Sequence, residues 1–152
     1  MRTLLYVSLL LALASCSNSF NVKDIAFYDS YGKEYQLRIS QKTIKKEYGL
    51  NKKPKIIIIA TSSNNTRIFK EQMSIIHNID AEKMSYMYVV ANSNEEDRSG
   101  YYTDPSTALR ILSGEEFRII IFSEDVRPVA DSSQILSVGN IIDHLTKSSS
   151  GR

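Results

Sequence analysis

The segment Lys55-Ile56-Ile57-Ile58-Ile59-Ala60 constrains the fold more than any other part of the chain. Four consecutive isoleucines are β-branched and stiff at χ1, which suits a strand. They do not alternate with polar residues, so the strand is expected to be buried on both faces, as in a sheet covered by helices. Six small polar residues, Thr61 to Thr66, then lead into a helical pattern. Strand, short loop and helix make half of a β-α-β unit, and the expected class is α/β.

The rest of the chain reads as packing around that strand. Ile25 to Tyr28 reads as a short strand, and Asp29-Ser30-Tyr31-Gly32-Lys33 as a turn. Tyr35, Leu37 and Ile39 alternate with Gln36, Arg38 and Ser40, which predicts a second strand and so an N-terminal β-hairpin. Lys42 to Tyr48 is read as a short helix stopped by Gly49. A helix is predicted from about Thr66 to Asn78, with Ile68, Phe69, Met73, Ile75, Ile76 and Ile79 on its apolar arc. Gln72 falls inside that arc, and a buried amide must find hydrogen bonds, here expected from nearby backbone. His77 falls on the polar side and is expected to be solvated.

Met87 to Ala91 is a second apolar strand, which predicts a parallel crossover back to the first. Asn92 to Gly100 is polar, acidic and aperiodic, and reads as a loop. Tyr101 and Tyr102 are expected to cover the sheet edge or to form an exposed patch. Asp104-Pro105 is a helix start, with Ala108, Leu109 and Leu112 at helical spacing and Ser113-Gly114 as the stop. Phe117 to Phe122 is the third strong strand, Glu124-Asp125 a turn, and Arg127 to Ala130 a Pro-interrupted edge strand. Val138, Ile141, Ile142 and Leu145 mark a final helix.

Composition excludes several functions. Hydrophobic residues at 42% and charged residues at 24% are ordinary for a globular chain. A net charge of +2 gives no support to nucleic-acid binding. One cysteine, Cys16, rules out an intramolecular disulfide, a CxxC pair and a cysteine-rich zinc site. No metal or other cofactor is implied, and no catalytic residue is assigned. Lys42, Lys45, Lys46, Lys52, Lys53 and Lys55 form a basic stretch, read as a solvated face rather than as a contact with anionic headgroups beside an anchor.

Residues 1–15 read as a signal segment rather than as part of the fold. Arg2 is a short positive region and Leu4 to Ala14 an apolar one, too short for a transmembrane helix. Leu13-Ala14-Ser15-Cys16 resembles a bacterial lipobox. The resemblance implies lipid on Cys16 and a partner membrane. The alternative is an ordinary secretory signal that leaves Cys16 as a free thiol. Ser17 after the cysteine resembles an outer-membrane sorting signal, so the expected location is the outer membrane, facing the periplasm. Residues 16–22 are read as a lipidated tether, 23–147 as the folded domain and 148–152 as a flexible tail.

The element order, with Phe117 to Phe122 running into Glu124-Asp125 and then a terminal helix, resembles the thioredoxin-like fold with the extra N-terminal hairpin of redoxins. Within it, the chain is similar to a bacterial lipoprotein family, of uncharacterised function, that lacks the CxxC motif. The resemblance covers about Val22 to Lys147. It implies a three-layer thioredoxin-like sandwich with a central mixed sheet. In redoxins the catalytic motif lies where this chain has Thr61 to Thr66, and the family's cis-proline would precede Phe117, where Gly114-Glu115-Glu116 stands. Both halves of that site are replaced. The expectation is a non-catalytic binding or assembly module with an envelope protein as partner. The alternative is an enzyme or anion binder at the helix N-terminus, using Thr61, Ser62, Ser63, Asn64 and Arg67. A third reading has Tyr86, Tyr88, Tyr101 and Tyr102 as a contact surface.

Overall fold

The computed structural model describes residue 21 and residues 24–147. Cys16, the signal segment, most of the tether and the tail therefore lie outside the described residues. The domain is a three-layer α/β sandwich of thioredoxin-like architecture around one seven-stranded mixed sheet. Its strands are β1 (Ala26–Tyr28), β2 (Glu34–Gln36), β3 (Lys55–Thr61), β4 (Tyr86–Asn92), β5 (Tyr101–Tyr102), β6 (Phe117–Phe122) and β7 (Pro128–Ser132), in the spatial order β2-β1-β5-β4-β3-β6-β7. The helices are α1 (Leu37–Glu47), α2 (Arg67–His77), α3 (Ala81–Met84), α4 (Pro105–Leu112) and α5 (Val138–Thr146).

β3 lies at the centre, parallel to β4 and antiparallel to β6. Ile56 to Ile59 are fully buried, as the unbroken apolar run predicts. Successive side chains leave a strand on opposite faces. Ile56, Ile58 and Ala60 thus pack with Leu37 and Ile44 of α1 and Ala108, Ile111 and Leu112 of α4. Ile57 and Ile59 pack with Phe69 and Ile76 of α2 and Ile141 and Leu145 of α5. The predicted α2 begins and ends within a residue of expectation, and Ile68, Met73 and Ile75 pack at the margin of this second core.

Several elements differ from the sequence reading. The second strand stops at Gln36, and Leu37 to Ser40 open α1 instead of extending the hairpin. Leu37, Ser40, Gln41 and Ile44 recur at i, i+3, i+4 and i+7 and are all buried, while Ile39 points into solvent. The helical period accounts for four buried positions; the alternation accounted for only part of them. The Leu37 N–H, an orphan at the helix start, donates to the Ile25 carbonyl at 2.9 Å. Tyr101 and Tyr102 do not cover the sheet edge. They form β5, pairing with Val89 and Val90 on one side, while Tyr102 pairs with Tyr28 of β1 on the other. In α4 the buried face is Thr107, Ala108, Ile111 and Leu112, which leaves Leu109 exposed. In α5 only Ile141 and Leu145 are fully buried, and Val138 is exposed.

Buried polar groups lock the layers. Gln72 accepts the Leu136 N–H at 2.7 Å and donates to the Leu136 carbonyl at 3.1 Å, so its partner backbone is close in space but distant in sequence. Gln41 donates to the Ser123 carbonyl at 2.7 Å. Arg118 on β6 grips Asp131 on β7 through Nε and Nη2, at 2.8 and 2.6 Å, and donates from Nη1 to the Ile111 carbonyl at the end of α4. Lys55 is not part of a solvated face. It is buried, and its ammonium donates to the Leu145 carbonyl at the C-terminus of α5, where the helix dipole favours a cation.

The register also fixes the poles of the domain. β1 runs antiparallel to β5, and β5 parallel to β4. Ala26 therefore lies towards the end of the sheet where β3 and β4 finish, the end that carries the Thr61–Thr66 loop, with β5 and β4 between. Lys45 and Lys46 in the last turn of α1, and Lys52 and Lys53 ahead of β3, lie at the opposite end. The basic stretch is thus not beside the point where the chain enters.

Two outcomes follow. Gln72→Leu strands the N–H and carbonyl of Leu136 and should cost about 2 kcal/mol, read as a lower urea midpoint at unchanged slope. The Tyr35 hydroxyl is pushed up to about 12 by burial and by its bond to Glu47. A raised tyrosine pKa stabilises the fold below its unfolded value near 10 and loses that contribution as pH climbs towards 12. Tyr35→Phe should flatten the fall in melting temperature over that range.

Candidate functional site

The candidate site lies at the C-terminal end of β3, where Thr61 to Thr66 turn the chain into α2. Thr61 is fully buried; Ser62, Ser63, Asn64 and Thr66 are partly covered and Asn65 is exposed. Six small polar residues suit this turn because their side chains satisfy the backbone groups that strand and helix leave unpaired. Thr61 Oγ1 donates to the Ser63 carbonyl at 2.8 Å and accepts the Ser63 N–H at 3.2 Å. Thr66 is the N-cap: its hydroxyl accepts the Phe69 N–H at 3.4 Å and donates to the Ser63 carbonyl at 3.0 Å. Ser63 Oγ accepts the Asn65 N–H at 3.2 Å. The Ser62 N–H donates to the Glu116 carbonyl at 3.0 Å, tying the loop to the segment ahead of β6.

A second loop, after β4, closes over the first. Asn92 is almost fully buried and donates from Nδ2 to Asn64 Oδ1 at 2.9 Å. Its own Oδ1 accepts the Asn94 and Glu95 N–H groups, at 2.9 and 3.3 Å. Asn64 Nδ2 donates to Asp97 Oδ2 at 3.2 Å, and Asn94 Nδ2 to the Ser62 carbonyl at 2.5 Å. The Ser93 N–H reaches the Thr61 carbonyl at 3.0 Å. The result is a continuous chain of amides and a carboxylate joining the β3–α2 and β4–β5 connections.

Of the five residues singled out as a possible ligand site, four are brought together and one is not. Thr61, Ser63 and Asn64 spend their side chains on the internal network. Ser62 lies within it by its backbone, and its hydroxyl has no hydrogen-bond partner among the described residues. Arg67 stands apart. Its side chain is 96% exposed and faces Glu71 one turn along α2, at 3.8 Å. It adds no donor to the loop. Asn92, Asn94 and Asp97 were missed by the sequence reading. Their signal was present as Asn92-Ser93-Asn94 directly after a strand, a place where asparagine side chains bond local backbone.

Other polar side chains behave as structural groups. His77 is exposed, as expected, and lies 3.2 Å from the Tyr88 hydroxyl. Among the described residues no three His, Cys, Asp or Glu side chains gather as a metal site, and no helix is long and apolar enough to cross a membrane. Asp104, predicted as an N-cap, accepts the Thr107 N–H at 2.9 Å and its hydroxyl at 2.7 Å. Burial pushes its carboxyl up, but bonds from Thr107 and Ser106 outweigh this and hold it below the usual range.

Comparison with known proteins supports the architecture. No family model matches the chain. No curated protein matches it either. Among solved structures it is similar to a crystal structure of a proposed electron transfer protein from Aquifex aeolicus VF5. That match has a TM-score of 0.53 and 14% identity, over 81% of this chain and 88% of the other. A proposed electron transport protein from the same organism matches with a TM-score of 0.52 and 13% identity, over 81% and 92%. At these identities the likeness is one of fold.

If the loop is chiefly a helix cap, Thr66→Ala should cost about 1 kcal/mol and speed amide exchange in the first turn of α2. Thr66→Ser should restore both, since only the hydroxyl is needed.

Proposed function

We propose that this chain is a non-catalytic, thioredoxin-like lipoprotein that acts as a binding or assembly module in a bacterial cell envelope. Lipid on Cys16 would hold it at the membrane, with the outer membrane facing the periplasm as its location. The observation that carries the non-catalytic reading is the filled loop. At the place where redoxins keep a reactive thiol, this chain has hydroxyls and amides bonded to one another and to local backbone. The electron-transfer names of the two similar structures come to mind here. Disulfide exchange between two thiols within one chain needs two cysteines, and this sequence has one.

The lipid anchor rests on Leu13-Ala14-Ser15-Cys16 and the apolar stretch before it. Two or three acyl chains hold a protein firmly, since each buried CH₂ adds about 0.8 kcal/mol. Fully extended, the stretch from Cys16 to Asp24 reaches no more than about 28 Å. Anchored there, the domain would present the Thr61–Thr66 end towards its membrane and the Lys45–Lys53 end away from it. The basic pole would then be available to a protein partner rather than to the anchoring lipid.

Labelling with a palmitate analogue should mark the wild-type chain and not Cys16→Ala, which should also leave the membrane fraction. Labelling that survives Cys16→Ala would overturn the anchor. Crosslinking in envelopes followed by affinity purification should recover a protein partner. Turnover of a disulfide substrate by the purified chain would overturn the non-redox reading. The anion-binding alternative predicts a rise in melting temperature with phosphate.

A further inference from the structure

Tyrosines lie on both faces of the β2-β1-β5 side of the sheet, Tyr35 with Tyr101 on one and Tyr28 with Tyr102 on the other, while Tyr31 and Tyr48 stand at the β1–β2 turn and the end of α1. Three of them line a cleft of about 160 Å³ between the β1–β2 turn, the end of α1 and the residue before β5. Its other lining residues are Asp29, Ser30 and Gly100. Binding pockets for drug-sized molecules run to about 300–1,000 Å³, so this cleft admits a head group and little more. Tyr31 is 95% exposed and Tyr48 59%, so both rings are accessible.

The surroundings favour positive charge. An aromatic ring presents a negative face to a cation within about 6 Å of its centroid. The chain already uses this on two rings, one on each face of the sheet. The Lys33 ammonium sits 5.1 Å from the Tyr35 centroid, and the Arg98 guanidinium 5.8 Å from that of Tyr102. Both cations are also committed to carboxylates, Lys33 to Glu47 and Arg98 to Glu96. Asp29 is different. Its Oδ1 is held by the Tyr31 and Lys33 N–H groups at 3.0 and 2.9 Å. Among the described residues no lysine or arginine lies within 4.0 Å of it. Its Oδ2 accepts the Tyr35 hydroxyl at 3.5 Å. A fixed carboxylate with no ion pair among the described residues thus lines a cleft walled by tyrosine. The Tyr101 hydroxyl is raised by burial and by its bond to Tyr48, which keeps that ring neutral.

We infer that the cleft lined by Asp29, Tyr31, Tyr48 and Tyr101 is a receptor for an organic cation, an alkylammonium or guanidinium head group. The same chemistry occurs on quaternary-ammonium molecules and on arginine side chains of a protein. The site does not depend on the lipid anchor or on the redoxin-like loop, so its failure would leave the proposed function standing.

The chain has no tryptophan, so tyrosine emission can be followed directly. Titration with tetramethylammonium chloride or arginine amide, against sodium chloride at equal ionic strength, should give a saturable response for the organic cations alone. Tyr31→Leu keeps an apolar side chain but removes the ring, and should weaken binding about three- to fivefold. Asp29→Asn keeps the turn, because the amide oxygen accepts the same N–H groups, and should weaken it as well. Tyr88→Phe, beside His77 on α2, should bind as wild type. Stronger binding of tetramethylammonium identifies a quaternary ammonium as the ligand; stronger binding of arginine amide identifies a partner's arginine. A response no greater than that of sodium chloride, or unchanged affinity in both Tyr31→Leu and Asp29→Asn, would overturn the inference.

Discussion

Ile56 to Ile59 are wholly out of water, and a sheet with one covered face cannot achieve that. Burying an isoleucine side chain is worth about 1.5–3 kcal/mol, so these four supply something like 6–12 kcal/mol. Whole domains keep a net stability of only about 5–15 kcal/mol. Neither helical layer is therefore dispensable. α1 and α4 must cover one face of β3, and α2 and α5 the other. The remaining strands extend the sheet so that both edges of β3 are hydrogen-bonded. The hairpin, β5 and β7 are the outer margins of an arrangement that β3 imposes.

Polar residues inside such a core are tolerated only where their bonds are complete. Gln72, Gln41 and Asn92 each meet backbone or another amide, and each joins segments that are far apart in sequence. The Thr61–Thr66 loop follows the same rule at the surface. Its position resembles that of an active site in related folds, but its hydrogen-bonding capacity is spent on holding two connections together.

Much of the fold could be read from the sequence because its strongest signals are long and apolar. β3, α2, β4 and β6 each carry an uninterrupted run or a clear helical arc. The N-cap role of Asp104, with Pro105 next, was legible for the same local reason. The errors fall where the signal is short or double. Tyr35 to Ser40 satisfies two periods at once, and only the cover that α1 gives to Ile56 and Ile58 decides between them. A two-residue strand such as Tyr101–Tyr102 has no period to detect. In α4, Ile111 and Thr107 rather than Leu109 share the buried face with Ala108 and Leu112. The candidate loop was found from its position after β3. Its partner loop was read as a loop, but not its bonds to the first, because Asn64 and Asn92 are 28 residues apart in sequence.

The placement of β3 between β4 and β6 also has a kinetic side. β4 follows β3 after α2 and the short α3, but β6 is made much later. During synthesis, one edge of this isoleucine-rich strand has no partner until residues 117–122 emerge. Segments of that kind, exposed in an incomplete chain, are those from which aggregates grow. The residue that holds the centre of the finished domain is therefore also its point of greatest exposure while unfinished. Lys55 at one end, with Lys52 and Lys53 ahead of it, stands where charged gatekeepers are placed in other sequences.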